Sequence, residues 1–537
     1  MMWRLLNNPQ LRPQHYLGGV AVLLCLLWVY FNALQMVFWS GESYSWQDIW
    51  QDVYVRHVIK FSFGQAFLSA LLSVIIGVIF ARALFYQSFY GKRFLLKLFS
   101  LTFVLPALVA IFGVIGIYGN QGWLARSAVL FGIDFQPHIY GLTGILITHL
   151  FFNIPLAARM FLQALQTIPV QSHQLAAQLN LRSWYFIRLL EWPYIKQQIF
   201  PAFALIFMLC FTSFTIVLTL GGGPQYTTLE VAIYQAIVFD FDLSKAGMYA
   251  LLQFVFCFVL FGINSVISPM SQTTLHQRKQ WQATQGRAVK IWQFFVIVCV
   301  SLFLVLPLLN TVVQGLFSEA LWTIWSRPQL WRALGYSLSI APLSALCSLL
   351  MASALLLLSR RLYWLHWYKT AHMLLNTGML ILAVPTLLLA IGLFLWSQQV
   401  EFATYHLFII VVFCNALAAM PFVIRILAVP MNNNMIYYEK LCQSLGIQGW
   451  ARLRWVEWAQ LAQPMKYAFA LACALSLGDF TAIAMFGNHQ FTSLPHLLYQ
   501  QLGSYRGDEA AVTALILLVI CLGIFQMVEK NRHDSIK

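Results

Sequence analysis

Long apolar stretches separated by short polar segments dominate the sequence. A membrane-spanning helix needs about 20 mostly apolar residues. Twelve stretches of suitable length lie at 17–39, 59–86, 95–119, 138–162, 200–220, 246–268, 291–316, 333–358, 372–397, 403–428, 466–486 and 510–527. The first is too long for a signal-peptide core, and no small-residue cleavage site follows it, so we interpret it as a spanning anchor. The pattern predicts an all-α membrane protein with about twelve transmembrane helices.

Several prolines lie inside these stretches, among them Pro106, Pro155, Pro307 and Pro385. Proline is tolerated within membrane helices because neighbouring helices can satisfy the backbone groups that it frees. We therefore expect the spans that carry these prolines to be continuous.

The composition supports a membrane protein and excludes several other classes. Of 537 residues, 60% are hydrophobic and only 9% are charged, whereas about 25% are charged in a typical soluble domain. A soluble enzyme, a nucleic-acid-binding protein and a disordered protein are therefore excluded. The nine cysteines lie mostly in apolar runs without metal-ligand spacing, so we expect buried apolar side chains and no metal site.

The basic residues indicate the orientation of the chain. With both termini placed in the cytoplasm, 25 of the 32 Lys and Arg residues fall on the cytoplasmic side and 7 on the other. Cytoplasmic loops of membrane proteins carry an excess of Lys and Arg. We predict a multi-pass membrane protein with both termini in the cytoplasm.

An internal repeat divides the chain. Residues 163–199 align without gaps with residues 429–465 at an offset of 266, and six of the 18 positions from 175 to 192 are identical. The offset contains six predicted spans, so both copies have the same topology and form parallel repeats. The predicted units are an anchor with its periplasmic loop (1–56), a first half (57–268), a cytoplasmic linker (269–290), an extra span and loop (291–332) and a second half (333–537).

The repeated segment suggests a cytoplasmic docking element. Leu175, Ala176 and Leu179 fall on one side of a short predicted helix over 171–180. A tight break follows at Asn180, or at Gly446 in the second copy, since both residue types tolerate positive φ. Such a helix, with small residues facing outward, suits a groove on a partner. The alternative is an interfacial helix that only joins two spans.

These loops resemble the coupling motif of permeases from ABC importers, which reads E-A-A, three residues, G and a later P. The matching positions are Gln174, Leu175, Ala176, Asn180 and Pro193 in the first copy, and Lys440, Leu441, Cys442, Gly446 and Ala459 in the second. Trp184 and Trp450 also correspond. The motif's Glu is absent from both copies. The resemblance implies a fold like that of type I ABC importer permeases, with the loops contacting an ATPase.

Further stretches resemble thiamine permeases of Gram-negative ABC importers. Among them are QLAAQLNLRSWYFIRLLEWPYI, LGDFTAIAMFGN and LPHLLYQQLGSYR. The resemblance implies a permease of the bacterial inner membrane with two fused halves. It also implies two copies of a cytoplasmic ATPase, a periplasmic binding protein, and thiamine with its phosphate esters as cargo. The sequence contains no GxxxxGK[ST], so we expect no ATPase activity, no cofactor and no catalytic residue in this chain, and ATP use by the partner subunits.

Two pairs of polar positions are further candidates. Asp479, whose repeat partner is Ser213, is an acid inside a predicted span. Intramembrane carboxylates commonly face a cavity or a polar partner, so Asp479 either lines the path of a thiazolium cation or bonds a neighbouring helix. Glu191 and Glu457 lie three residues after Arg188 and Arg454. We expect a solvated pair on each helix face, and the alternative is a contact with the ATPase.

Three other functions remain open at this stage. A ferric-iron importer permease has the same fused architecture, but no cluster of Tyr, His or carboxylate is evident along the path. A secondary transporter would not need a duplicated coupling loop and would more often carry several ionisable residues in its spans. A membrane enzyme is disfavoured because HExxH and GxSxG are absent.

Overall fold

A computed structural model of the chain describes residues 17–41, 51–134, 136–181, 183–267, 286–382, 384, 386–398, 404–487 and 491–534. Both termini and most of the predicted linker 269–290 lie outside the described residues. The helices of the first part are α1 (Leu17–Gly41), α2 (Val53–Tyr86), α3 (Lys92–Val104), α4 (Ala107–Tyr118), α5 (Trp123–Leu130), α6 (Leu142–Gln166), α7 (Val170–Gln178), α8 (Ser183–Phe186), α9 (Trp192–Phe211), α10 (Phe214–Leu220), α11 (Leu229–Val238) and α12 (Leu243–Ile267).

The second part has a similar order of elements. Its helices are α13 (Arg287–Leu316), α14 (Ala320–Thr323), α15 (Pro328–Trp364), α16 (Tyr368–Thr377), α17 (Thr386–Gln398), α18 (Thr404–Ser444), α19 (Gly449–Arg452), α20 (Trp458–Gly478), α21 (Thr481–Phe486), α22 (Leu494–Gly503) and α23 (Gly507–Asp534). Two π-helical turns, Ile187–Glu191 and Leu453–Glu457, lead into α9 and α20.

The predicted membrane architecture is confirmed. Among the described residues, eleven helical segments are long and apolar enough to span a membrane. The predicted span 372–397 is not one of them, because it is divided into the short helices α16 and α17. The predicted span 95–119 is likewise divided, into α3 and α4.

The expectation that the interior prolines leave their spans continuous is right for Pro155 and Pro307 and wrong for Pro106. Pro155 lies within α6 and Pro307 within α13. At Pro106 the chain breaks between α3 and α4, and the preceding Leu105 is extended at φ −65° and ψ 132°. Proline disfavours the helical region for the residue before it. Pro385 lies outside the described residues.

Buried serines give the two halves a matching frame. The Ser62 hydroxyl on α2 accepts a hydrogen bond from the backbone N–H of Leu229 at 3.0 Å, and the Ser337 hydroxyl on α15 accepts one from Leu494 at 2.8 Å. Each bond ties the start of a short helix, α11 or α22, to the first long helix of its half. The duplication predicted from the loops therefore extends to the beginning of each half, with an offset of 275 between α2 and α15.

The two flanking helices cross between the halves. Helix α1 packs against α15 and α17 of the second half and against α12 of the first. Helix α13 packs against α2 and α4 of the first half and against α23 of the second. The anchor and the extra span are thus corresponding helices, each of which joins its own half to the other one.

Candidate functional site

Two apolar patches lie at one end of the bundle, one in each repeat. Each consists of two leucines one helical turn apart, and the exposed fractions are 55% and 62% in the first patch and 51% and 62% in the second, for Leu175, Leu179, Leu441 and Leu445. Large apolar side chains this exposed on a loop suit contact with a partner. The first patch is on α7 and the second is at the end of α18.

Small residues beneath these leucines face inward. Ala176 is 3% exposed and Cys442 is 1% exposed, so the expectation that the small side chains face outward is wrong for these two. They follow Leu175 and Leu441 by one residue, which turns them about 100° away on a helix. The outward surface is therefore formed by leucine.

Both patches end in the same backbone turn. Asn180 has φ +50° and Gly446 has φ +66°, as their residue types predicted. Leu181 N–H donates to the carbonyl of Ala176 at 2.9 Å, and Ile447 N–H donates to that of Cys442 at 2.9 Å. This bond between a left-handed terminus and the last helical turn is a Schellman cap, which fixes where each leucine pair ends.

The helices that carry the patches differ in length. Helix α7 is separate from α6, because Pro169 begins it and lacks an N–H for the preceding turn. The repeat position of Pro169 is Met435, and α18 runs without a break from the membrane to Ser444. The expectation of a short helix in each loop is therefore confirmed in the first copy and wrong in the second.

The remaining predicted loop residues divide by exposure. Gln174 and Lys440 are exposed, as is Trp184, while Pro193 is half-buried in the first turn of α9. Trp450 lies in α19, and its side chain is outside the described residues. The positions that replace the motif's Glu therefore point to solvent in both copies.

Glu191 and Glu457 are buried, and the prediction of a solvated pair is wrong. Both carboxylates are 0% exposed at the ends of the π-helical turns. Arg82 Nε donates to Glu191 Oε2 at 2.7 Å, and Arg360 Nη1 donates to Glu457 Oε2 at 2.8 Å. The extra residue in each π turn rotates the carboxylate toward the bundle, away from the exposed arginine three residues earlier.

In the second half the Arg360–Glu457 ion pair is part of a larger buried network. Arg452 donates to both Glu457 and Glu439, and Arg361 Nη1 donates to Glu439 Oε1 at 2.9 Å. Burial alone would raise the pKa of the Glu439 carboxyl, but Arg361 and Arg452 together hold that pKa below its ordinary value. The network links α15, the end of α18 and the π turn that leads into α20. It connects the second leucine patch directly to two membrane helices.

In the first half aromatic rings occupy the corresponding positions. His173, the repeat partner of Glu439, is fully buried in α7 and stacks on Phe85 at 6.0 Å between ring centroids. Phe186, the repeat partner of Arg452, lies 6.4 Å from His173 and 6.2 Å from Tyr86. The joint that connects each patch to the membrane helices is therefore a network of ion pairs in the second half. In the first half it consists of one ion pair, Arg82–Glu191, together with these aromatic rings.

At the centre of the bundle each half has a break between two helices, and the two breaks lie at the same position in the repeat. Helix α9 ends before Thr212 and Ser213, and α20 ends before Asp479. The Asp479 carboxylate accepts a hydrogen bond from the backbone N–H of Thr481 at 2.9 Å, an Asx-type turn that satisfies a donor at the start of α21. The predicted acid inside a span therefore lies at a break in the helix.

A small polar cavity adjoins Asp479. Its volume is about 10 Å³, and its polar walls come from Ser337, Asn415, Ser476, Asp479 and Ser493. The Asn415 amide also donates to the Ser476 hydroxyl at 3.0 Å. A volume of this size holds about one water molecule. Ser213 does not line this cavity, so the structure does not bring the two predicted path residues together there.

Aromatic rings from both halves meet beside the breaks. Phe214 and Phe480 stack with centroids 6.0 Å apart and planes 12° from parallel, and both are buried. Tyr234 packs on Phe214, and Tyr499 packs on Phe480. This four-ring cluster follows the repeat and closes the space between the halves at that level.

Glu230 is a buried acid that sequence reasoning missed. It is 2% exposed on α11, and Gln253 Nε2 donates to its carboxylate at 2.9 Å. Residues 229–238 are too short to count as a span and lie outside the twelve predicted ones. Its position at the second residue of an apolar ten-residue helix was the available signal.

Comparison with known proteins identifies the family. Residues 73–271 match the family described as binding-protein-dependent transport system inner membrane component. The chain is 60% identical over 531 residues to the thiamine transport system permease protein ThiP of Haemophilus influenzae, with 99% of each chain covered. It is 44% identical over 458 residues to the protein of the same name from Escherichia coli, with 85% of each covered. With the Brucella abortus protein it shares 38% identity over 453 residues, covering 84% of this chain and 83% of the relative. The chain therefore belongs to the thiamine transport system permeases, inner-membrane components of binding-protein-dependent transport systems.

Proposed function

We propose that this chain forms the translocation path of an ABC importer that carries thiamine, and its phosphate esters, from periplasm to cytoplasm. The observation that carries the proposal is 60% identity over 99% of both chains with a thiamine transport permease. Both termini are cytoplasmic in this proposal, so the leucine patches face the cytoplasm. A periplasmic binding protein delivers the cargo at the opposite end.

Two copies of a cytoplasmic ATPase supply the energy. Each patch presents two exposed leucines followed by the same capped turn, which suits one identical partner per repeat. Closure of the ATPase pair moves the patches, and the buried joints transmit the movement to α2 and α15. The two halves then alternate between inward-open and outward-open arrangements.

Asp479 is the side chain on this path that would bind a cationic cargo. Its carboxylate lies at a helix break beside a cavity whose other polar walls are hydroxyl and amide groups. The four-ring cluster lies next to it and closes the path in the state described. Thiamine carries a thiazolium cation, and an intramembrane acid facing a cavity suits a cationic cargo.

Uptake of labelled thiamine into proteoliposomes tests the proposal. They would contain this chain with the ATPase and binding protein encoded beside it, and ATP inside. We expect uptake that requires ATP and stops when the ATPase is omitted. Uptake driven by a proton or sodium gradient without the ATPase would instead identify a secondary transporter. Stimulation of the ATPase only by another loaded binding protein would keep the importer and refute the cargo.

Asp479→Asn separates the cation site from a structural role. We expect it to lower thiamine uptake about tenfold, since one lost charge interaction of about 1.4 kcal/mol is tenfold in an equilibrium constant. Ser213→Ala, at the repeat position away from the cavity, is the matched control. Normal uptake by Asp479→Asn would retire the cation site while leaving the importer intact.

A further inference from the structure

A cavity of about 520 Å³ lies at the patch end of the bundle, apart from the path and the leucines. Its walls come from the end of α2, the π turn and start of α9, and the first turns of α13. Apolar side chains form most of the lining, among them Ile79, Ile187, Ile195 and Val296. The buried Arg82–Glu191 ion pair lies in its wall.

The cavity lies between the end of α2 and the first turns of α13, where the corresponding helix α1 packs closely against α15. The backbone of Pro307 in α13 lies against Gly113, and Ala33 in α1 lies against Gly392 in the same way. These matching contacts show which residues of α1 and α13 correspond. In this alignment Gly19 of α1 corresponds to Gln293 of α13. A Cβ on Gly19 would lie 2.7 Å from that of Leu358, so α1 packs directly on α15, whereas Gln293 and its neighbour Trp292 line open space.

Gln293 presents an unused hydrogen-bond donor to this cavity. The side chain is 2% exposed, and its Oε1 accepts a hydrogen bond from Gln87 Nε2 at 2.8 Å. Its own Nε2 has no hydrogen-bond partner among the described residues. Buried polar groups nearly always have a partner. The lining also contains the exposed Arg188, so the cavity offers a neutral and a charged donor to an acceptor oxygen.

The surroundings of the opening indicate a membrane lipid. Trp184, Trp192 and Trp292 are 64%, 46% and 58% exposed around it, and tryptophan is enriched at the membrane–water interface. Arg287 and Lys290 are exposed at the start of α13. Basic pockets between transmembrane helices on the cytoplasmic side bind anionic lipid headgroups. An apolar wall beneath such donors fits an acyl chain, which a free anion lacks.

We propose that this cavity binds one anionic phospholipid of the cytoplasmic leaflet. Arg188 and Gln293 Nε2 bind its phosphate oxygens, and an acyl chain lies between α2 and α13. The cytoplasmic placement rests on the proposed orientation, but binding itself depends neither on the cargo nor on the ATPase. The test below can therefore fail while the transport function holds, and the reverse.

Native mass spectrometry of the purified full chain tests the proposal. Phosphatidylglycerol and phosphatidylcholine with the same acyl chains would be titrated separately. We expect the first phosphatidylglycerol to bind at least about fivefold more tightly than phosphatidylcholine. Arg188→Gln, a change of an exposed side chain, should remove this preference. Arg454→Gln, the repeat position beside the closely packed α1–α15 contact, should keep it.

Two further variants and one competitor complete the test. Gln293→Leu should weaken phosphatidylglycerol binding severalfold, and Ala83→Phe should block the first lipid by filling the cavity. Equal affinity for the two lipids, or equal loss in Arg188→Gln and Arg454→Gln, would overturn the proposal. Displacement of the lipid by millimolar inorganic phosphate would show that the cavity is an anion site and overturn the lipid assignment.

Discussion

Arg452 is the central residue of the ion-pair network that forms the joint of the second half. It is 2% exposed and pairs with both Glu439 and Glu457. Removing one partner of a buried ion pair typically costs 3–5 kcal/mol, because an uncompensated charge is left inside. Here Arg360 and Arg361 remain, so we expect Arg452→Leu to destabilise the fold by about 3 kcal/mol and to lower the thermal unfolding midpoint by several degrees.

Arg454→Leu is the control for this prediction. Arg454 is exposed two residues later, and exposed substitutions away from special features usually change stability by less than about 0.5 kcal/mol. Thermal unfolding of both variants in the same detergent provides the comparison. Equal midpoints would mean that the network contributes nothing to stability.

His173 predicts a pH response in the first joint. Burial lowers the pKa of this imidazole below its ordinary value of 6.5. When α7 opens, the solvated imidazole takes up a proton below pH 6.5, while the packed one stays neutral. Stability of the packed state is therefore complete above pH 6.5 and declines as the pH falls below it. We expect faster amide exchange over residues 170–181 at pH 5.5 than at 7.5, after correction for intrinsic rates.

The second joint supplies an internal control for this measurement. The pKa of Glu439 lies below its ordinary value of 4.5, so its stabilising charge is lost only as the pH falls further. Residues 437–447 should exchange equally at pH 7.5 and 5.5. His173→Phe should abolish the response of 170–181, and an unchanged response in that variant would assign it to another group.

The leucine patches predict where the chain binds the ATPase. Each patch is a single turn of helix, so one charged residue should disrupt it. Burying a leucine contributes about 1.5–3 kcal/mol, and an aspartate at the same position would in addition be buried unpaired. We expect Leu175→Asp and Leu441→Asp each to weaken ATPase binding at least tenfold, measured by titration of the ATPase onto the reconstituted chain.

Tyr90→Asp is the matched control for the patches. Tyr90 is fully exposed between α2 and α3 but lies on neither patch. The variant should bind the ATPase normally. Equal weakening by Tyr90→Asp would indicate a general effect of added negative charge, and normal binding by both leucine variants would place the docking surface elsewhere.

Sequence reasoning located these elements but not their interior contacts. Asn180 and Gly446 could be predicted as turns because asparagine and glycine tolerate positive φ better than other residues. Glu191 and Glu457 were misassigned because an α-helical register puts each near the arginine three residues earlier, whereas the π turn adds a residue and rotates it inward. The continuous α18 was missed because only Pro169, and no equivalent in the second copy, separates the loop helix from its span.

At the scale of the whole molecule the repeat preserves geometry while its chemistry varies. The hydrogen bonds of Ser62 and Ser337 and the four-ring cluster follow the duplication. The offset of 266 was evident from the aligned loops, whereas the offset of 275 between α2 and α15 could be derived only from their contacts. His173 in place of Glu439 could not be interpreted from sequence, because Phe85, on which it stacks, comes from α2, outside the aligned segment. Long-range packing therefore determines which repeat positions form one site.

The crossed flanking helices predict that two separate fragments of the chain still associate. Helix α1 packs on α15 and α17 of the second half, and α13 packs on α2 and α4 of the first. Each half therefore contacts the other through a flanking helix that is not part of its own core. Two fragments separated within the predicted linker 269–290 should therefore associate when co-expressed, since no described contact depends on that connection. We expect them to co-purify through a tag on either fragment.

Deleting residues 1–41 from the first fragment tests the reason for that association. The deletion removes α1 and with it the close contact of Gly19 with Ala354 and Leu358 on α15. The contact of α13 with α2 and α4 remains, so we expect co-purification to fall severalfold without disappearing. A first fragment that co-purifies equally well without α1 would mean that α1 does not hold the halves together and serves only as a membrane anchor.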